Sequence, residues 1–191
     1  KTPLQETLRV LDDLVRDGKV RYIGCSNFAA WQVARAVETS GALGLERMIS
    51  TQSEYNVLSR AAEAELVPCC LEYGVGILAY HPLDSGFLTG KYRKGQPPPD
   101  QSRLFHVPSI ADQLLTDLRF DLAERLEAFA AERGHSLLEL AIGWLLARPA
   151  VDCAIIGAST QGQVTANVAA SGWILSADEM RAVDELVAPT T

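Results

Sequence analysis

The sequence predicts an α/β fold of parallel strands joined by helical crossovers, and three observations carry that expectation. Four short apolar, strand-like segments occur, at about residues 20–25, 48–53, 75–80 and 151–157, and each is followed by residues of helical period. Polar residues gather where those strands end: Ser26 and Asn27, then Gln52, then Tyr80 and His81, then Gly157 and Ser159. Such ends favour a (β/α)8 barrel, whose active face is built there. The competing doubly wound sheet would place a G-x-G-x-x-G turn after its first strand, and Gly24-Cys25-Ser26-Asn27 lacks it.

Each element has its own local signal. Thr2-Pro3-Leu4-Gln5 reads as a helix start, with threonine capping, proline at the first helical position and Gln5 closing a capping box. Leu4, Leu8, Leu11 and Val15 then recur at helical spacing until Gly18 stops the run. The strand at 20–25 leads to a helix over 29–39 that carries Trp31, Val33, Ala34 and Val37. The strand at 48–53 leads to a helix over 61–73, closed by Gly74. Val75-Gly76-Ile77-Leu78-Ala79-Tyr80 is almost wholly apolar, as in a strand covered on both faces. A long loop then runs from Gly86 to about Ile110 and holds Pro97-Pro98-Pro99; loops of this length are usually functional or mobile. Helices over 112–133 and 136–147 follow, the second with Leu137, Leu138, Ala141 and Leu145 on one face. After the strand at 151–157 come helices over 161–170 and 176–187.

Composition narrows the function classes. A chain of 191 residues, 48% hydrophobic and 21% charged, fits one globular domain over residues 1–191. With 17 basic against 24 acidic residues, the net charge of -7 argues against a nucleic-acid or anionic-membrane surface and leaves small molecules as the expected partners. The start, Lys1-Thr2-Pro3, shows no signal-peptide core, so a cytoplasmic location is expected. Cys25, Cys69, Cys70 and Cys153 are spaced irregularly and read as buried free thiols rather than a disulfide framework or a zinc site. His81, His106 and His135 show no metal-ligand spacing, and only His81 falls in a motif.

Four segments carry a resemblance: Gly18-Lys19-Val20-Arg21-Tyr22-Ile23-Gly24-Cys25-Ser26-Asn27-Phe28, Gln52-Ser53-Glu54-Tyr55-Asn56, Pro82-Leu83-Asp84-Ser85-Gly86-Phe87-Leu88-Thr89-Gly90-Lys91-Tyr92 and Ile155-Ile156-Gly157-Ala158-Ser159. In this order, on predicted strand ends, they resemble the aldo-keto reductases across the whole chain. The fuller-length bacterial reductases and the potassium-channel β subunits are the most similar members, because they share the long loop ending in Thr-Gly-Lys-Tyr. The resemblance implies a partial TIM (β/α)8 barrel, about the last four β/α units plus a C-terminal helix. It also implies that the catalytic aspartate, tyrosine, lysine and histidine of the family precede Lys1, so that no catalytic residue lies in this chain.

The resemblance assigns an NADP(H) site. Ser26, Asn27 and Gln52 match residues that hold the nicotinamide carboxamide, and Tyr80 matches the aromatic stacked on the ring. Asn27 as a helix cap, Gln52 as a core amide and Tyr80 as a core aromatic stay open as alternatives. His81 stands where most relatives carry serine, and either contacts phosphate or is partly exposed. Pro82, Leu83, Ser85 and Gly86 open a loop whose amides approach the pyrophosphate, with Lys91 supplying charge or simply being solvated. Arg103 matches an arginine at the adenosine end, Gly157, Ala158 and Ser159 are expected to offer amides at a helix start, and Gln163 and Asn167 match residues at the 2′-phosphate and adenine. Ala166 replaces a glutamate frequent in the family, and no Lys or Arg occurs from Gly157 to Asn167, so the preference for NADP leans on Arg103.

The implied activity of an intact parent is NADPH-dependent reduction of aldehydes or ketones to alcohols. The alternatives are a nucleotide-sensing regulatory subunit and an inactive fragment. Substrate identity and oligomeric state are left open. Four strands in isolation are expected to expose two edges and an apolar inner face, and therefore to be unstable or self-associating and without turnover.

Overall fold

The computed structural model describes residues 2–188; Lys1, where the sequence begins, lies outside them. The chain divides into two compact units. The first comprises the segments up to Glu54, Ala61–Tyr80 and Pro149–Cys153; the second comprises Tyr55–Arg60, His81–Arg148 and the segment from Ala154 onward.

In the first unit β1 (Ile23–Ser26), β2 (Met48–Glu54) and β3 (Gly76–Tyr80) alternate with helices α1 (Leu4–Arg16), α2 (Ala30–Leu43) and α3 (Leu66–Tyr73). The sheet order is β1-β2-β3-β4, with β4 at Val151–Ile155. β1 pairs parallel with β2 in a register that sets Ser26 opposite Gln52, and β2 pairs parallel with β3, setting Glu54 opposite Tyr80. Alternation sends Thr51, Ser53, Ile77 and Ala79 to the buried face. Leu8 of α1, Ala36 of α2, Ile23 and Met48 form a core cluster, flanked by Leu4, Leu11, Val15 and Leu45. The other face carries Gly24, Ser26, Ser50, Gln52, Glu54, Leu78 and Tyr80, none of them buried. It is therefore mostly small and polar rather than apolar, which corrects the expected inner face.

The buried carboxylate of this unit is matched, whereas the buried hydroxyls of Ser40, Thr51 and Ser53 make no hydrogen bond among the described residues. The Asp12 carboxylate accepts the Glu46 backbone N–H at 2.8 Å and pairs with Arg16 Nε at 2.7 Å. Arg47 donates to the carbonyls of Tyr73 and Gly74 where α3 ends. Burial pushes the Cys70 thiol up to about 12 and raises Cys25 and Cys69 as well. Cys153 is exposed, against expectation, because it lies in β4 at the edge of the sheet.

The second unit is helical: α4 (Arg103–His106), α5 (Pro108–Leu114), α6 (Asp117–Ala131), α7 (Leu137–Leu146), α8 (Gln161–Ala170) and α9 (Ala177–Leu186). α7 was expected to bury one face, yet Leu137 and every residue from Leu140 to Leu145 are buried, while Leu138 is only partly so. Trp144 is its anchor. The indole N–H donates to Asp184 of α9 at 3.0 Å, the guanidinium carbons of Arg60 and Arg148 lie 5.1 and 4.0 Å from the ring, and Tyr55 meets it edge-on at 5.6 Å. Both arginines pair with the same Asp184 carboxylate. Ser136 and Glu139 form a capping box on α7, and Ser176 and Glu179 form one on α9. Hydrogen bonds from the Ser136 and Ser176 N–H and hydroxyl groups hold both glutamates below the ordinary carboxylate range.

Several expected boundaries move. Pro3 is the N-cap residue of α1 and no side-chain cap bond forms there, so the box of Thr2 and Gln5 is not made. β1 begins at Ile23, since the Lys19 and Val20 amides bond back to the Leu14 carbonyl and extend the turn after α1. The helix expected over 61–73 is a 3-10 turn, Ala61–Glu63, followed by α3. The expected loop after Gly86 contains α4 and α5, and the following helix starts late, at Asp117, capped by the Thr116 hydroxyl.

Candidate functional site

In the first unit the residues expected at the strand ends come together around Asn27. The Ser26 hydroxyl and the Asn27 backbone N–H both donate to the Gln52 carbonyl, at 3.2 and 2.9 Å. The Tyr80 hydroxyl donates to Asn27 Oδ1 at 3.0 Å. Asn27 takes a left-handed φ of 57°, which orients its side chain by a route few residues tolerate. The alternative reading of Asn27 as a helix cap does not hold: α2 starts at Ala30 with Ala29 as its N-cap. Gln52 enters these bonds through its carbonyl, not through the side-chain amide that the resemblance singles out.

In the second unit the chain encloses a pocket of about 630 Å³. Every site residue that the sequence placed in this unit lines it: His81, Pro82, Leu83, Ser85, Gly86, Lys91, Arg103, Gly157, Ser159, Gln163 and Asn167. One wall is the 3-10 segment Asp84–Thr89 with its approach. His81, Asp84 and Ser85 there have φ of 54°, 49° and 58°, and Gly86 has 87°. Four positive-φ positions within six residues, three of them consecutive, are rare outside functional loops. Here two are held by hydrogen bonding and charge: the His81 carbonyl accepts from Asn56 Nδ2 at 2.9 Å, and the buried Asp84 carboxylate pairs with Arg119 of α6. The Thr89 hydroxyl closes the turn on the Gly86 carbonyl at 2.8 Å.

A second wall is α4, capped by the Ser102 hydroxyl and bearing Arg103 and His106. The third is the turn from Ile155 to Ser159 and the start of α8, from which Gln163, Ala166 and Asn167 face the pocket at the spacing of one helical turn. The expected row of open amides at this turn is only partly there. Gln163 Oε1 accepts both the Ser159 N–H at 2.7 Å and the Ser159 hydroxyl at 3.1 Å, and the helix itself starts at Gln161, capped by Thr160. Sequence reasoning missed Thr89, Gln101, His106 and Leu138 on the walls. Gln101 and Thr89 carry no periodic signal, but Arg103 and His106, three apart, are legible as one helical face once Ser102 is read as a cap.

The charge balance is the strongest property of this pocket. Lys91, Arg103, His81 and His106 line it, and among the described residues no aspartate or glutamate does, although acidic residues outnumber basic ones across the chain, 24 to 17. Fixed cations, amide groups and hydroxyls without a competing carboxylate are what a ligand with several phosphate charges requires.

These features describe an α/β protein with polar strand ends in one unit and an anion-suited pocket in the other. The chain belongs to the aldo/keto reductase family, whose profile matches residues 1–188. It is 36% identical over 88% of its length to a probable voltage-gated potassium channel subunit beta from Oryza sativa, covering 52% of that protein. It is also 32% identical to the L-glyceraldehyde 3-phosphate reductase of Escherichia coli K12, over 98% of the chain and 55% of the relative. Versiconal hemiacetal acetate reductase from Aspergillus parasiticus is 29% identical over 99% of the chain and 54% of the relative. The chain spans about half the length of the curated relatives it matches.

Proposed function

We propose that this chain is the NADP(H)-binding portion of an oxidoreductase that reduces aldehydes or ketones, and that its sheet is part of a (β/α)8 barrel. The observation that carries the reading is the acid-free pocket lined by Lys91, Arg103, His81 and His106. The pocket residues fit the dinucleotide's phosphates by charge and hydrogen-bonding type. Lys91, Arg103 and the amides of Ser85 and Gly86 would hold phosphate oxygens, and Gln163 and Asn167 the adenosine end. In the first unit, Asn27, Gln52 and Ser26 would orient the nicotinamide carboxamide, and Tyr80 would cover the ring. The cofactor, when bound, supplies hydride to the carbonyl carbon; this chain's own residues bind and orient it, and no proton donor is assigned within them.

Titration of the purified protein with NADPH, read by nucleotide fluorescence, tests this. Saturable binding weakened at least several-fold by Lys91→Ala and Arg103→Ala is expected; absence of binding would refute the reading. A second reading, a nucleotide-sensing regulatory subunit, is favoured by the potassium-channel name of the rice relative. Binding without carbonyl-dependent NADPH oxidation in the protein that carries this chain would favour it.

A further inference from the structure

The strand-end cluster of the first unit is built from neutral groups: Ser26, Asn27, Gln52 and Tyr80 bring hydroxyls, amides and a ring, and the Tyr80 hydroxyl is fixed on Asn27 Oδ1. Glu54 adds a carboxylate to it. This residue lies directly across from Tyr80 in the β2–β3 register and two positions beyond Gln52, so alternation puts all three side chains on one face of the sheet, where Glu54 is exposed. Asp152 of β4 also reaches this face, but at its other end: its carboxylate lies against Gly76, where a β carbon would collide with it. Gly76 opens β3 and Tyr80 closes it, about 13 Å further along the strand. Glu54 is thus the carboxylate of this face that sits beside Tyr80.

A nicotinamide ring is neutral when reduced and carries one positive charge when oxidised. The two forms of the dinucleotide are otherwise alike in charge, so a fixed carboxylate beside the ring separates them by electrostatics alone. Neutral amides and hydroxyls hold both forms through the same hydrogen bonds and cannot make that distinction.

We propose that Glu54 determines which redox state of the cofactor this site prefers: its carboxylate favours the oxidised ring beside Tyr80. The inference rests on the dinucleotide reading above. Tighter binding of the oxidised form draws the bound couple toward hydride donation, the direction that carbonyl reduction requires. The exposure of Glu54 limits the effect, since solvent-screened charge pairs are worth about two- to fivefold in affinity.

The test is calorimetric titration of NADP+ and NADPH into wild type, Glu54→Gln, Glu54→Asp and Glu54→Lys at neutral pH. The readout is the ratio of NADP+ to NADPH affinity, which a merely structural defect would leave unchanged because it weakens both forms together. The ratio should fall about threefold in Glu54→Gln and about tenfold in Glu54→Lys, and stay within about twofold of wild type in Glu54→Asp, which keeps the charge. Raising the salt to about 1 M should shrink both falls. A ratio unchanged in Glu54→Gln or in Glu54→Lys, or lowered as far by Glu54→Asp as by Glu54→Gln, would overturn the role of Glu54 while leaving the dinucleotide reading intact. Failure of wild type to bind either form would overturn that reading, and this inference with it.

Discussion

Replacing Gly143 by alanine in the middle of α7 separates local propensity from packing, because the two predict opposite signs. In an open helix the change should stabilise by roughly 1 kcal/mol. At this position a β carbon would lie 2.5 Å from the Trp173 backbone carbonyl oxygen and 2.8 Å from Leu175 Cδ1. An unstrained C···O contact is about 3.3 Å or more, so the overlap is about 0.8 Å, and it is with a backbone atom that no rotamer change can move. Trp173 and Leu175 are both buried, and Trp173 stacks on His135 at 4.0 Å, so the segment has little room to retreat. Overpacking of this kind costs roughly 1–3 kcal/mol. A backbone obstacle puts the cost at the upper end of that range, so with the propensity gain of about 1 kcal/mol subtracted Gly143→Ala should destabilise by about 2 kcal/mol. Because the obstructed segment follows α8, whose Gln163 and Asn167 line the pocket, ligand affinity should fall as well. Urea unfolding followed by tryptophan fluorescence gives the midpoint. An unchanged or higher midpoint would show that the approach of Trp173 to α7 is not as described.

Arg103→Ala should weaken NADPH by roughly 1.5–3 kcal/mol and NADH by less, since a guanidinium against the extra phosphate loses a charge-assisted contact; calorimetric titration of both nucleotides checks the difference. Ser136→Ala removes the cap of α7 and should cost about 1 kcal/mol at neutral pH. The pH dependence of the same variant carries a sign. Glu139 and Glu179 titrate below their ordinary range when folded, so the stability they contribute is present above the unfolded carboxylate pKa and is lost as pH falls through the folded values. Urea midpoints measured from neutral to acid pH should therefore fall less steeply in Ser136→Ala than in wild type, and parallel curves would contradict the capping-box account. Cys153, being exposed, should react with a thiol reagent in the native protein, whereas Cys70, buried with its pKa pushed up to about 12, should react only on unfolding. Peptide mass mapping after timed labelling distinguishes them.

How much of this was legible in the sequence depends on where the local signals sit. α8 was placed at its observed bounds, 161–170, because Thr160 caps it and its apolar residues stop at Ala170. The break before α3 was passed over although Pro68 marks it: proline in a first turn lacks only an N–H that has no helical partner there, so it signals a start rather than an interruption. α4 and α5 were missed because helices of 4 and 7 residues are too short to show a period, and only Ser102 and Pro108 announce them. The pocket was readable through motifs, and His106 escaped because it was weighed as a metal ligand, a test its spacing fails. The polar open face of the sheet departs from the apolar inner face expected of isolated barrel strands, because in β3 only Ile77 and Ala79 are buried, and the side chains alternating with them on the other strands are small or polar.

The run of left-handed residues at the pocket has a consequence for any effort to make this protein more robust. His81, Asp84, Ser85 and Gln101 occupy backbone conformations that glycine adopts at lower cost. Selection for heat resistance alone would therefore accept glycine at His81, Ser85 and Gln101 and register an improvement. At His81, Ser85 and Gln101 the side chain given up would be one that lines the pocket, and at Asp84 it would be the partner of Arg119. Gains in melting temperature at His81, Ser85 and Gln101 should thus be bought with ligand affinity, whereas glycine at Asp84 would strand the Arg119 charge and lower stability; a library screened only for thermal survival would drift toward a sturdier protein with an emptier site.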